Sequence, residues 1–549
     1  MDSSYSYCYD DLLINPCLSS IKSRSDIDLS VNIARFPRKL ILKTPLISSC
    51  MNTITESQMA IDMAIQGGIG IIHRYMSIEK QVSEVKRVKR HLQYIIEDPY
   101  SIEIDIDIEN ENENENKYEK MDVYEDYAKK YGVKSFLIVD KQEKHLVGII
   151  TGKDYEMWKT MNSFHKPQSN LIIDVMTPIR CENVVKNKTY LLQHNCDDKS
   201  LDEILHMALD IMNTHNIEKV PIIRHDKKNG TYQVTGLITH KNIKHYLHNK
   251  SKASIDSHGR LLVGVAVGIK DGELQKVDQL VDAGADLICV DVANGFNTHV
   301  GEFIKQVRSK YPSLVIMAGN VCNASGFEYL NSLDVDCIRV GIGSGSICTT
   351  RLETGIGKGQ WSAVNECFKY ICQQDDNTDN VISINIIDNV ININNINRNQ
   401  HAKIISDGGS LGKTGNKAKA LVTGASAVML GQTLAGTDSS PGLTINRNGK
   451  KCKYFRGMAS TMAHLDNQYS KKEDIDANFN AEGIDGFVEI KGTISDIIKQ
   501  INGGIKSCFS YIGCNNINEV HDKRRDGNIT FSIVTPIGMT ETETRINHL

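Results

Sequence analysis

The 549-residue sequence has 14 cysteines but no C-x-x-C spacing anywhere. Scattered thiols of this kind argue against a disulfide framework and a structural zinc site, and for reduced cysteines in an intracellular enzyme. No apolar run approaches the ~20 residues that a membrane helix needs. The polar start MDSSYSYCYDD does not have the charged-then-apolar pattern of a secretory signal. Neither charge sign is in excess: 63 Lys and Arg stand against 67 Asp and Glu, a net charge of −4. That balance excludes a polybasic nucleic-acid or membrane-surface protein. Prolines number only ten, whereas glycines number 41, so the position of the glycines is informative. A hydrophobic content of 40% and a charged content of 24% are those of a soluble globular chain. At about 150 residues per domain the length allows three to four domains, or one large barrel with an insertion.

Eight short apolar runs end in glycine, acidic or small polar residues. They are Pro45–Met51, Gly68–His73, Leu261–Val267, Asp286–Asp291, Leu314–Asn320, Cys337–Gly343, Ala402–Gly409 and Ala427–Gly431. Continuous rather than alternating apolar runs fit strands buried on both faces. Amphipathic stretches follow several of them, at Glu56–Gln66, Ile78–Leu92, Glu273–Ala283, Val300–Lys310 and Thr414–Val422. The pattern predicts an α/β fold of (β/α)₈ barrel type, with its chemistry on the glycine-rich loops after the strands. The rival, a doubly wound open sheet, lacks a GxGxxG opening a helix after an early strand.

The gap between the second and third runs is too long for one barrel helix, so 95–250 is expected to be an insertion between barrel parts 1–94 and 251–549. Within it, GVKSFLIVDKQEKHLVGIITGKD (Gly132–Asp154) and NIEKVPIIRHDKKNGTYQVTGLITHKN (Asn216–Asn242) form an internal repeat of helix, strand, polar hairpin, strand and helix. With DVMTP at Asp174–Pro178, it resembles a tandem pair of CBS modules. The resemblance implies purine-nucleotide effectors that regulate the attached enzyme. Two low-complexity tracts, Ile102–Asn116 and Val381–Asn399, read as surface insertions without chemistry of their own.

The most specific segment is Arg339–Gln360, RVGIGSGSICTTRLETGIGKGQ. A strand runs into a glycine-rich loop whose free N–H groups can cradle a phosphate, and Cys348 follows at once as a candidate nucleophile. The string resembles the catalytic loop of the IMP dehydrogenase/GMP reductase family. SDGG at Ser406–Gly409, VMLG at Val428–Gly431 and RGMA at Arg456–Ala459 match that family's nucleotide site in the right order. The resemblance implies that Asp407 holds the ribose hydroxyls. It assigns phosphate contacts to Ser346, Gly409 and Gly431, purine contacts to Gly457, Met458, Ala459, Glu482 and Gly483, and substrate binding also to Gly408 and Gln432. Ser49 in ISSCM is a further nucleotide contact. Thr350 and Glu482 resemble the proton-relay pair that serves the thiol. Gly343, Gly345, Cys348 and Arg351 match backbone carbonyl ligands of a monovalent cation, K⁺. On the cofactor side stand Arg74 in IIHRY, Asp291, Val292 and Ala293 in DVANG, and Ser507, Cys508, Phe509 and Ser510 near the C-terminus.

Four features favour the reductase branch. SSIKSRSDIDL at Ser19–Leu29 resembles the reductase string in which Ser23 and Arg24 would meet the 2′-phosphate of NADPH. DVANG replaces a serine-bearing dehydrogenase sequence, IMAGNV replaces GGNV, and Phe455 stands where dehydrogenases carry tyrosine. In the active-site flap, expected at about 438–500, NQY at Asn467–Tyr469 puts Gln468 in place of the arginine that activates water in dehydrogenases. Arg456, SSPG at Ser439–Gly442, TITE at Thr53–Glu56 and the insertion look more like a dehydrogenase. The expected activity is therefore NADPH-dependent conversion of GMP to IMP and ammonia. The alternatives are NAD-dependent oxidation of IMP to XMP and a non-catalytic nucleotide-binding barrel. The family builds homotetramers, with cofactor sites completed by a neighbour, and CBS pairs can join tetramers into octamers. The expected location is the cytoplasm. The terminal Asn547-His548-Leu549, a distant relative of SKL, makes a peroxisome-type organelle the alternative.

Overall fold

The computed structural model describes residues 5–91, 94–96, 99–104, 120–142, 145–164, 170–178, 191–192, 196, 199–226, 231–379, 400–466, 480–535 and 537–538. The chain divides into two compact units. One comprises Met1–His91, Lys252–Asp256 and Leu261–Leu549, the other Leu92–Ser251 and Ser257–Arg260.

Eight parallel strands close the barrel of the first unit: β1 (Leu46–Ser48), β2 (Ile69–Ile72), β3 (Val263–Val267), β4 (Leu287–Asp291), β5 (Val315–Val321), β6 (Cys337–Val340), β7 (Lys403–Asp407) and β8 (Ala427–Leu430). They follow one another around the ring in chain order, and β8 pairs with β1 through Met429 and Ile47. Seven fall within one of the eight apolar runs, and β5 extends one residue past its run, to Val321. The fold is therefore the (β/α)₈ barrel expected from the sequence.

Because side chains alternate along a strand, every second residue points inward. Ile47, Ile71, Cys289, Met317, Cys337, Ile405 and Met429 share one buried core cluster. Each fully buried aliphatic side chain contributes about 1.5–3 kcal/mol. Two residues further along the same inward rows stand Ser49, Asp291, Arg339, Asp407 and Gly431. The alternation that fills the lower barrel with apolar groups thus delivers polar ones to the rim at the strands' C-terminal ends.

Helices α1 (Ser57–Ile65), α2 (Ile78–His91), α3 (Glu273–Asp282), α4 (Thr298–Lys310), α5 (Ala324–Ser332), α6 (Gln360–Asp379), α7 (Thr414–Thr423) and α8 (Ile494–Ile512) follow the strands. In α8, Ile494, Ile498, Ile501, Ile505, Phe509 and Ile512 are buried, a spacing that lays one apolar stripe along the helix. Thr493 caps its start through the Asp496 N–H, and Gly513 ends it in the left-handed conformation. Between β8 and α8, strands Ile445–Arg447, Lys450–Arg456 and Asp485–Glu489 form an antiparallel sheet. Gln468 and the terminal tripeptide lie outside the described residues.

In the second unit two halves repeat one design. Helix Met121–Tyr131 ends on left-handed Gly132, and helix Leu201–His215 on left-handed Asn216. Each leads into an antiparallel hairpin, Ser135–Asp140 with Leu146–Thr151 and Lys219–Asp226 with Thr231–Thr239. The register shifts at Ile138/Val139 in one and at the corresponding Ile222/Ile223 in the other. Leu137, Leu146, Ile149, Ile223 and Leu237 form a shared core drawn from both halves.

Candidate active site

The chain leaving β6 has no side-chain bulk to spare. A Cβ on Gly341, whose φ is +146°, would lie 2.1 Å from the Asp407 carbonyl oxygen. The loop then rises to Ile347 and Cys348, where it meets residues 482–484. The Thr349 N–H donates to the Glu482 carbonyl at 2.9 Å, and the Ile484 N–H to that of Ile347 at 3.0 Å. Gly457 and Gly483 face each other so closely that a Cβ on either would approach the other's Cα to 3.2–3.3 Å. This backbone pairing brings Glu482, 132 residues away in sequence, to the catalytic loop. The Cys348 Sγ lies 3.1 Å from the Thr350 Oγ1, which donates to the Glu482 Oε2 at 2.8 Å. Thiol, hydroxyl and carboxylate form a continuous chain along which a proton can pass.

A cavity of about 830 Å³ opens beside this chain. Cys348, Thr350 and Glu482 lie in its wall. So do all the expected nucleotide contacts: Ser49, Ser346, Asp407, Gly408, Gly409, Gly431, Gln432, Gly457, Met458, Ala459 and Gly483. The volume suits a mononucleotide with part of a second ligand. Phe455 and Tyr75 add aromatic surface, and the Tyr75 hydroxyl donates to the Met458 carbonyl at 3.3 Å.

The floor is a charge network that the sequence reading did not assign. Buried Arg339 donates through Nε and Nη2 to the Asp407 Oδ2 at 3.1 and 2.9 Å, and through Nη1 to the Asp291 Oδ1 at 2.5 Å. Asn320 donates to the same Asp407 oxygen at 2.9 Å. Burial works against ionisation of Asp291, but Arg339 and Arg74 outweigh it and hold its carboxyl below the ordinary value. Removing one partner of such a buried pair costs about 3–5 kcal/mol, because the other charge is left uncompensated. The available signal was the single arginine in CIRVGIG. Two residues after inward-facing Cys337, it must itself face inward.

The expected cofactor contacts separate into two groups. Arg74, Asp291, Val292 and Ala293 line the cavity. Ser23 and Arg24 do not. They lie at a short 3₁₀ turn (Arg24–Asp26) packed on α8, where the Cys17 N–H donates to the Tyr511 carbonyl at 3.0 Å. Ser507–Ser510 lie on α8 and also stand outside the cavity lining. Phe509 is wholly buried, whereas Cys508 is half-buried, and burial pushes its thiol up to about 12. Of the expected cation ligands, Gly343 and Gly345 line the cavity beside Cys348. The Gly345 carbonyl already accepts the Cys348 N–H at 3.2 Å, which leaves it one lone pair. The Arg351 side chain packs over Gly343 and donates to the Lys358 carbonyl.

Among the described residues no helix is long and apolar enough to cross a membrane. Residues 6–545 match the model of the IMP dehydrogenase / GMP reductase domain. The chain is 37% identical over 515 residues to inosine-5'-monophosphate dehydrogenase of Nitrosopumilus maritimus, covering 93% of this chain and 92% of that one. It is 33% identical to the Staphylococcus aureus enzyme of the same name, covering 98% of this chain and 95% of that one. Among solved structures, a cysteine-to-alanine variant of GMP reductase from Trypanosoma brucei, in complex with guanosine 5'-monophosphate, superposes with a TM-score of 0.77. It is 31% identical and matches 99% of this chain and 98% of its own. GMP reductase from the same organism in complex with guanosine 5'-triphosphate gives a TM-score of 0.68 at 29% identity, over 97% of this chain and 98% of its own. With the Cys348 relay, the Asp407 rim and matches along nearly its whole length, the chain belongs to the IMP dehydrogenase/GMP reductase family of oxidoreductases.

Proposed function

We propose that the chain is a GMP reductase, converting GMP, NADPH and a proton to IMP, ammonia and NADP⁺. The observation that carries this reading is the full-length likeness to the Trypanosoma brucei reductase. A reductase is matched over 98% of its own length, so the inserted unit does not argue against a reductase. DVANG in the cavity wall, Phe455, and Gln468 in the sequence of the flap support the same branch. The curated relatives at 33–37% identity carry the dehydrogenase name, and that activity is the second reading.

In the proposed reaction Asp407 accepts hydrogen bonds from the ribose hydroxyls. The N–H groups around Gly409 and Gly431 receive the phosphate, which places the base over Cys348. The thiol passes its proton through Thr350 toward Glu482 and adds to purine carbon 2. Protonation of the 2-amino group lets ammonia leave, giving a thioimidate on Cys348. Cleavage of the carbon–sulfur bond, once carbon 2 is reduced, frees the thiol. A bound reduced nicotinamide supplies the hydride. Arg74, Asp291, Val292 and Ala293 would hold its reactive end, and an ionised carboxylate beside small side chains suits that group. The face formed by Ser23, Arg24, Ser507 and Ser510 would serve a cofactor site completed by a second subunit of a homotetramer. The neutral carbonyls of Gly343, Gly345 and Cys348 suit K⁺. The second unit would be a CBS pair that binds purine nucleotides.

Absorbance at the reduced-nicotinamide band tests the reading. GMP-dependent loss of NADPH is expected. IMP-dependent formation of NADH, without that loss, would select the dehydrogenase, and no turnover with either pair would select the silent barrel.

A further inference from the structure

We propose that Arg339 is a positioning residue shared by two ligand subsites, and that it makes nucleotide and nicotinamide binding mutually dependent. The inference rests on reading the cavity as an oxidoreductase site that holds both ligands at once. One guanidinium spans two carboxylates. Its Nε and Nη2 grip a single oxygen of Asp407, and its Nη1 grips one oxygen of Asp291. Asn320 donates to that same Asp407 oxygen. The Asp407 Oδ2 therefore takes three donors, while no described residue donates to Oδ1, which is left for the ribose. On the opposite carboxylate, the Arg74 guanidinium lies 3.6 Å from the Asp291 Oδ2, and the Cys50 thiol also hydrogen-bonds to this carboxyl.

The bridge has a physical consequence. The guanidinium is planar and rigid, so it cannot turn toward one carboxylate without moving from the other. A ribose that fixes Asp407 therefore fixes Arg339 and, through it, Asp291. The second ligand then meets an acceptor already in place and loses less freedom on binding. By linkage the effect is reciprocal: each ligand tightens the other by the same factor. The bridge itself is made of the chain's own side chains, whichever purine nucleotide and nicotinamide the enzyme uses.

The test is a binding cycle on the full-length Cys348→Ala protein, in which turnover is blocked. Calorimetry gives the GMP dissociation constant with and without saturating NADPH, and the IMP constant with and without NAD⁺. A tightening of about fivefold or more is expected for the productive pair. Adding Arg339→Lys, which keeps the charge but loses the fork, should reduce the factor to below about twofold. Asp291→Asn, which leaves the Arg339–Asp407 grip intact, should abolish the coupling while changing nucleotide binding alone far less; it serves if the lysine variant fails to fold. Full coupling retained in a folded Arg339→Lys or Asp291→Asn protein would overturn the bridge and leave the enzyme reading standing. Failure of either nucleotide to bind would overturn both.

Discussion

At the scale of single residues the proposed chemistry rests on Cys348, Thr350 and Glu482, and their spacing makes a sharp claim. If Thr350 and Glu482 pass protons rather than bind substrate, Glu482→Gln should lower kcat by about 10²–10⁴-fold with little change in KM. Thr350→Val should fall in the same range. The double variant should be no worse than the stronger single one, since the groups act as a unit. Steady-state kinetics on the three proteins checks this. Asp407→Asn should act on affinity instead. Losing a charged acceptor weakens nucleotide binding by about 10–150-fold, read by calorimetry in the Cys348→Ala protein. Cys348 and Asp407 were legible in the sequence because each sits in a short, specific string. Arg339 stood in such a string as well, but its role depends on two carboxylates 48 and 68 residues away, and only closure of the barrel brings them together. Phe509 shows the reverse case: it stands in a matching string, but the helical stripe it belongs to turns its side chain into the core.

Among the elements, the eight strands could be read because burial on both faces leaves a continuous apolar run, which loops and surface helices do not imitate. Helix α8 escaped because its stripe is interrupted by Gly503 and Gly504, residues that ordinarily disfavour helix interiors. A Cβ on Gly504 would come within 2.2 Å of the Thr414 side chain on α7, so the glycine lets the two helices pack closely. Helix α7 carries a further anomaly. Lys417 is wholly buried, donates to the Lys413 carbonyl at 3.2 Å, and burial pushes its ammonium down to about 8, with Lys491 adding repulsion. The native lysine thus releases its proton from about pH 8, whereas the unfolded chain holds it to about 10.4. Across that window the unfolded state binds more protons, so stability from this group rises with pH. Below pH 8 the folded protein bears the full cost of a buried charge. Lys417→Met should stabilise the protein at pH 7 by about 1–3 kcal/mol. It should also flatten the rise in stability between pH 8 and 10.4, a comparison that denaturant melts at pH 7 and pH 9.5 can make.

Across the whole molecule, a barrel and an inserted two-part unit share one chain. The insertion was legible from length, because no barrel helix needs 150 residues, and its twofold design from the G-I-I-T and G-L-I-T strands that close each hairpin. The matched shift in register at Ile138 and Ile222 adds that the two halves bend alike. If the unit senses purine nucleotides, ATP, GTP or GMP added to the full-length protein should alter turnover at fixed substrate. Exchanging Thr151 and Asp154, or Thr239 and Asn242, for alanine should blunt the response while leaving turnover without effector unchanged. Those pairs cap the helix after each hairpin and belong to the second unit, whereas Cys348, Thr350 and Glu482 belong to the first. The central claim concerns the barrel, and product stoichiometry tests it most directly. With GMP and NADPH, the account predicts one ammonia and one IMP for each NADPH consumed, and none of the three changes in Cys348→Ala. Formation of XMP from IMP and NAD⁺, with no ammonia released from GMP, would contradict it.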